Sequence, residues 1–198
     1  MDKTETDEAL MRRYQVGDAS AFELLYARHK GGLYRYFLRQ CRVAAVAEEL
    51  YQDVWLNLIR ARERYETRAK FATYLYRLAH NRLVDHYRRQ AAGVPISYDD
   101  DPEDAPLIER VADRPEREPD SQLEARRRAK RLQQLIADLP DAQREAFLLR
   151  EEGGLSLEEV AQAMGVNAET AKSRLRYAMA KLRAGLLDDT AGRTRFRK

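Results

Sequence analysis

The sequence predicts an all-α protein of two small helical domains joined by a flexible acidic linker. Apolar residues recur at three- and four-residue spacing through most of residues 7–90 and 123–185. Five of the six prolines fall within residues 91–121. That stretch also holds ten acidic residues against three arginines, a net of −7, which leaves +10 for the rest of a chain totalling +3. The expected layout is a helical domain at 1–90, a linker at 91–121, a second domain at 122–187 and a disordered basic tail at 188–198. Basic flanks around an acidic middle suit two modules facing a polyanion, although solvated helix faces give the same count.

Composition narrows the function classes. A chain of 198 residues, 35% charged and 44% hydrophobic, suits a soluble helical protein. No run approaches the roughly 18 apolar residues of a membrane span. Met1-Asp2-Lys3-Thr4-Glu5 is no signal peptide, so a cytoplasmic protein without membrane insertion is expected. The single cysteine, Cys41, excludes an intramolecular disulfide and reads as a packing residue. With only His29, His80 and His86 beside it, no metal-ligand cluster forms, and no cofactor is expected. No phosphate loop, nucleophile elbow or carboxylate pair emerges, so no catalytic residue is assigned and the protein is not expected to be an enzyme.

The first helix starts at Thr6 or Asp7, carries Leu10, Met11 and Tyr14 on one face and stops near Gly17. Asp18 opens the next, with Phe22, Leu25, Tyr26, Leu33, Phe37 and Leu38 at helical spacing. Gly31-Gly32 interrupts that pattern and is expected to bend the helix. A third helix, from about Ala44 to Arg64, has two stripes. Val46, Leu50, Val54 and Leu58, widened by Tyr51 and Trp55, face a core. Glu49, Gln52, Asp53 and Leu56 form a separate polar strip, which is either solvated or a docking surface for a partner helix. After a loop at 65–70, Phe71 to about Gln90 forms a fourth helix, with Phe71, Leu75, Leu78, Ala79, Leu83 and Tyr87 inward. Its other face bears Lys70, Tyr74, Arg77, His80, Asn81, Arg82, Arg88 and Arg89. Rings among arginines and an asparagine suit unstacked bases; the competing reading puts Tyr74 and Tyr76 in the core and the arginines in water.

In the linker, Asp99-Asp100-Asp101 and the prolines break any helical period, with Pro106 to Ala112 a candidate for weak docking. Leu123, Ala129, Leu132, Leu135, Ile136 and Leu139 mark a helix that ends before Pro140. Asp141 to Glu152 gives another, burying Ala142, Ala146, Phe147, Leu148 and Leu149. The most specific stretch follows. Ser156 and Glu159 make a capping box, Val160, Ala161 and Met164 form a short apolar face, and Gly165 ends the helix. Asn167 caps the next helix, which buries Ala171, Leu175, Ala178 and Leu182. That leaves Thr170, Lys172, Ser173, Arg174, Arg176 and Lys181 mostly outward, as in a helix-turn-helix whose second helix enters a major groove.

Together these segments resemble the extracytoplasmic-function (ECF, group 4) sigma factors of the sigma-70 family of bacterial RNA polymerase. In the first domain the likeness rests on Asp18-Ala19-Ser20-Ala21-Phe22-Glu23-Leu24-Leu25-Tyr26, on Ala47-Glu48-Glu49-Leu50-Tyr51-Gln52-Asp53-Val54-Trp55 and on the run from Lys70 to Asn81. In the second it rests on the run from Leu139 to Phe147 and on Thr170-Ala171-Lys172-Ser173-Arg174-Leu175. The resemblance implies a region 2 bundle and a region 4 helix-turn-helix, in a subunit that binds core polymerase, reads promoters and helps melt them. It implies that Glu49, Gln52, Asp53 and Leu56 meet the β′ clamp helices and that the second domain meets the β flap. Lys70, Tyr74, Arg77, His80, Asn81 and Arg88 would hold the melted non-template strand of the minus-ten element, one base being flipped out. Thr170, Lys172, Ser173, Arg174 and Arg176 would read the duplex minus-thirty-five element. An anti-sigma partner is also implied.

Two positions depart from the family's pattern: Tyr177 stands where many members carry arginine, and Tyr74 where tryptophan is common. The alternative is a stand-alone helix-turn-helix regulator, which binds duplex DNA without polymerase and leaves residues 44–90 without a task.

Overall fold

Side-chain caps set the helix starts in the first half of the chain. The computed structural model describes residues 5–92 and 119–195, with side chains at 5–92 and 124–187, and its regular structure there is entirely helical. Helix α1 (Asp7–Gln15) begins where the Thr6 hydroxyl accepts from the Ala9 amide, with Asp7 and Glu8 at its positive end and Arg12 and Arg13 at its negative end. Asp18 caps α2 (Ala19–Cys41) through the Ser20 amide at 3.0 Å.

Helix α2 runs unbroken through Gly31-Gly32, so the glycines do not interrupt it. It stops at Arg42, whose φ of +62° is the only positive value at a non-glycine residue among those described. Helix α3 (Ala44–Ala61) gives way to a 3-10 turn at Arg62–Arg64, ending earlier than the spacing implied. The Gln15 side chain holds that turn by donating to the carbonyls of Arg62 and Tyr65, at 3.0 and 2.8 Å. Helix α4 (Phe71–Ala91) has no cap of its own. Glu8 of α1 supplies one, accepting from the Phe71 amide at 2.7 Å.

The apolar stripes meet as the spacing requires. Val46, Leu50, Tyr51, Val54, Trp55 and Leu58 of α3 are buried, as are Phe71, Leu75, Ala79 and Leu83 of α4. Phe22, Tyr26, Tyr51 and Trp55 form one aromatic cluster, with centroids 5.0 Å apart for Tyr26 and Trp55. Burial pushes the Cys41 thiol up to about 12, consistent with packing rather than chemistry.

The second half comprises α5 (Pro119–Ala137), α6 (Asp141–Glu151), α7 (Leu157–Met164) and α8 (Ala168–Arg195). Helix α5 leaves Ala129 and Leu132 exposed, contrary to the expected core face; its C-terminal end packs through Leu135 and Ile136, with Leu139 buried just beyond it. Ala142 is likewise exposed on the first turn of α6, while Ala146 to Leu149 are buried. Ala171, Ala178 and Leu182 of α8 are buried and Leu175 half-buried. Helix α8 continues to Arg195, past the expected domain end at 187. The side chain of Leu123 lies outside the described residues, as does most of the linker, including Pro106 to Ala112. No helix among the described residues is long and apolar enough to cross a membrane.

The two halves pack on each other. Helix α7 lies along α4, and α6 against α2. Two buried polar residues of α6, which no apolar pattern could flag, organise this contact. Arg144 donates Nε to Gln40 Oε1 at 2.9 Å, and Glu145 accepts from the Tyr36 hydroxyl at 2.9 Å.

Candidate nucleic-acid interface

The helix-turn-helix is fixed by local chemistry. Ser156 Oγ accepts from the Glu159 amide at 3.2 Å while Glu159 Oε2 accepts from the Ser156 amide at 2.8 Å, completing the capping box. Gly165, at φ +63°, ends α7 in the left-handed region. Asn167 Oδ1 then accepts from the Thr170 amide at 2.7 Å and starts α8.

On α8 the five expected residues share one stretch but differ in freedom. Lys172 and Arg176 are exposed; Lys172 sits 3.7 Å from Glu169, and the Arg176 guanidinium lies over the Tyr177 ring. Thr170, Ser173 and Arg174 are half-buried. Ser173 Oγ donates to the Thr170 carbonyl at 2.9 Å, and Arg174 reaches Met164 Sδ. The exposed cations of this stretch, Lys172 and Arg176, suit phosphate and base edges.

On α4 the structure divides the expected set. Arg77, Asn81 and Arg88 are exposed, with Arg88 3.0 Å from Asp85. Tyr74 is half-buried, edge-to-face with Tyr65 at 5.1 Å between centroids, and burial raises its hydroxyl pKa. Two others turn to the second half: Lys70 Nζ pairs with Glu159 at 3.0 Å, and His80 Nδ1 lies 2.6 Å from Glu145 Oε1. Tyr76 is fully buried, so of the two tyrosines one takes the core reading and the other sits at its edge.

Asn81 and His80 also line a shallow groove of about 620 Å³ between the C-terminal half of α3 and α4, with Asn57, Arg60, Arg64 and Arg82 around it. Arg60 and Arg64, four apart where α3 ends, are the signal that the sequence reading passed over. Three guanidiniums and two amides there suit a phosphodiester strand and base edges.

The strip on α3 is distinct. Glu49 and Gln52 are exposed, Leu56 is 45% exposed and Asp53 half-buried, all on the side away from the aromatic cluster. Gln52 donates to Glu48 at 2.9 Å, and Glu49 exerts a field on His86 of α4, whose pKa burial lowers. An acidic strip around an apolar residue can receive a basic or amphipathic helix. Among the described residues no group of three or more His, Cys, Asp or Glu is placed to hold a metal ion.

These surfaces coincide with known sequence families. The Sigma-70 region 2 family matches residues 25–93, and the Sigma-70, region 4 family matches residues 129–182. The RNA polymerase sigma factor CarQ of Myxococcus xanthus is 32% identical over 183 residues, 87% of this chain and 93% of the relative. The ECF RNA polymerase sigma factor SigK of Mycobacterium ulcerans is 31% identical over 176 residues, 88% of this chain and 90% of the relative. Among solved structures, CnrH in complex with the cytosolic domain of CnrY shares the fold, with a TM-score of 0.62 and 24% identity over 93% of this chain and 99% of that one. The sigma factor RpoE in complex with the anti-sigma factor NepR, from Bartonella quintana, shares it at 0.61 and 23%, over 83% and 96%.

Proposed function

The chain belongs to the sigma-70 family, in its ECF group, and from that premise we propose how its surfaces divide the work of transcription initiation. Residues 1–90 act as the region 2 module and residues 122–187 as the region 4 module. The α3 strip of Glu49, Gln52, Asp53 and Leu56 docks on the β′ clamp helices of core polymerase, and the second module meets the β flap. Lys70, Tyr74, Arg77, His80, Asn81 and Arg88 hold the melted non-template strand of the minus-ten element. Extruding one base costs a few kcal/mol, which stacking and phosphate pairing must offset. Thr170, Lys172, Ser173, Arg174 and Arg176 read the minus-thirty-five duplex.

The protein acts in the cytoplasm, under an anti-sigma partner, and contributes positioning and melting rather than covalent chemistry. The observation that carries the assignment is the coexistence in one chain of an acidic helix strip with two separate basic helix faces, α4 and α8. A stand-alone regulator needs only the last of these.

Run-off transcription with purified bacterial core polymerase on a promoter-fragment library tests it. Start sites that depend on this protein, and that weaken when Asp53→Arg reduces core binding while leaving the melting temperature unchanged, are expected. Duplex binding by the protein alone at nanomolar affinity, with no polymerase-dependent starts, would instead establish the stand-alone regulator.

A further inference from the structure

Helix α1 carries none of the residues assigned above to polymerase or DNA, yet it holds the connection that leads into the minus-ten face. That connection, residues 62–70, runs from the 3-10 turn after α3 to the start of α4. Within it the Tyr65 amide donates to the Arg62 carbonyl at 3.3 Å and the Arg68 amide to the Glu66 carbonyl at 2.8 Å. Glu66, Thr67 and Arg68 are exposed, and Tyr65 is its one buried residue.

Two side chains of α1 fix the ends of this connection. Gln15 Nε2 donates to the carbonyls of Arg62 and Tyr65 where it begins, at 3.0 and 2.8 Å. Glu8 Oε1 accepts from the Phe71 amide where it ends, at 2.7 Å, and so caps α4 from outside. Seven positions separate Glu8 from Gln15. They therefore share one face of α1, two turns and about 10 Å apart. Between them the Tyr14 ring lies under the Arg62 guanidinium, at 5.7 Å. Helix α1 is itself anchored on α2: Asp7 pairs with Arg28 at 2.6 Å and with His29 at 2.7 Å. The His29 ring in turn packs on Phe71, with centroids 5.2 Å apart.

Short paths lead from these bonds to the strand-holding residues. Tyr65, held through its carbonyl, packs edge-to-face on Tyr74 at 5.1 Å and on Phe71 at 6.4 Å. Lys70 immediately precedes α4, and Tyr74 lies in its first turn. Without Glu8 the amides of that turn would lack a side-chain partner, and uncapped helix ends fray. Asn81 stands two turns beyond Tyr74 on the same helix. A ring that stacks on one base while an amide reads the edge of another works only if both are held to within about an ångström.

We propose that α1 is a positioning brace for the minus-ten surface. Glu8 and Gln15 fix the two ends of the 62–70 connection and thereby set where Lys70 and Tyr74 meet the unpaired strand. They are positioning residues, acting through Phe71 and Tyr65 rather than touching DNA. The inference rests on the reading of α4 given under the proposed function.

Three variants of the full-length protein test it. Glu8→Ala removes the cap, and Glu8→Gln keeps an accepting oxygen at the same reach. Gln15→Glu keeps the shape but turns the donor into an acceptor facing two carbonyls. Amide exchange followed by NMR on the free protein reads the brace itself. Holoenzyme assembled with purified bacterial core polymerase is then offered fork-junction DNA whose unpaired strand is randomised, and sequencing the bound fraction reads the minus-ten preference. The same selection with the upstream duplex randomised reads the minus-thirty-five preference, and titration with core alone reads assembly.

Glu8→Ala is expected to speed exchange of the Phe71 amide about tenfold or more. It should also flatten the minus-ten preference about tenfold, with core affinity and the minus-thirty-five preference unchanged. Gln15→Glu should flatten the same preference, and Glu8→Gln should restore most of it. Native exchange at Phe71 in Glu8→Ala would overturn the brace. Its positioning role would be overturned by a native minus-ten preference in Glu8→Ala and Gln15→Glu, or by an equal loss of core affinity and minus-thirty-five preference, which marks a merely structural role. A Glu8→Gln protein as impaired as Glu8→Ala would refute the cap as the cause. If native holoenzyme prefers no unpaired strand, the minus-ten reading fails and the positioning role falls with it. The exchange data separate that result from failure of the brace, because they need neither polymerase nor DNA.

Discussion

Replacing Arg144 with methionine should lower stability more than any surface change in this chain. The side chain is 3% exposed. It donates to the carbonyls of Ala137 and Leu139 at 3.1 and 3.0 Å, to Asp141 at 2.5 Å and to Gln40 Oε1 at 2.9 Å. Methionine keeps the stem volume and removes every donor, orphaning three acceptors at or near the core. Each orphan costs about 1–3 kcal/mol, and relief of the buried charge offsets part of the sum, leaving a net loss of about 3–5 kcal/mol. For a chain of this size about 2–4 °C accompanies each kcal/mol, so the melting temperature should fall by roughly 6–20 °C. Thermal unfolding followed by circular dichroism reads this directly. A cycle with Gln40→Ala isolates the bond between modules, with a coupling of about 1–2 kcal/mol expected against an additivity error of about 0.3–0.5 kcal/mol. Zero coupling would show that Gln40 and Arg144 do not meet in solution. A melting temperature unmoved by Arg144→Met would refute the buried-network reasoning itself.

Three further outcomes follow from the described geometry. Arg176→Ala should reduce discrimination at one position of the minus-thirty-five element by about 1–3 kcal/mol, whereas Lys172→Ala should weaken binding to all sequences and lower the salt slope by about 1; competition binding at several salt concentrations separates them. Ser156→Ala should cost about 1 kcal/mol through the lost cap, and Gly165→Ala about 1–2 kcal/mol through its left-handed backbone, both visible as lower denaturation midpoints. Acid should expose two carboxylates. Hydrogen bonds from Ser20 and Arg13 lower the Asp18 pKa from 3.8 to about 2, and the Ser156 amide with Lys70 holds Glu159 below its usual 4.5. Both stabilise the fold fully above their ordinary values and cease to do so as pH falls through the folded ones. Melts between pH 5 and about 2 should show Asp18→Asn losing the lower part of this dependence.

The fold was legible wherever apolar period and caps coincide. The third helix displayed its core stripe, and Ser156, Glu159, Gly165 and Asn167 marked the helix-turn-helix almost to the residue. What escaped was long-range. Gly31-Gly32 reads as a helix defect, because nothing local says that Gly32 makes room for a carbonyl 120 positions away. Arg144 and Glu145 carry no apolar signal in α6, and their partners Gln40 and Tyr36 lie in the other half of the chain. Ala129, Leu132 and Ala142 were assigned to a core by spacing alone, but all three are exposed in the structure. Among the site residues, helical period placed Lys172, Arg176, Arg77 and Asn81 outward correctly. It could not show that His80 and Lys70 would be bonded to the other module.

The chemistry of that contact decides whether it can also open. Tyr36–Glu145, His80–Glu145, Arg144–Gln40 and Tyr76–Glu152 are hydrogen bonds whose groups water can satisfy once the modules part. Each is therefore worth only about 1 kcal/mol net, despite being strong in the closed state. Four of them give about 4 kcal/mol, and the ion pairs of Glu152 with Arg35 and Arg39 and of Lys70 with Glu159 cross the same contact. Within each module the helices instead join through buried leucines and aromatic rings, such as Leu148 and Leu149 or Tyr26 and Trp55, which have no such replacement in water. The two halves therefore part more readily from each other than either comes apart within itself.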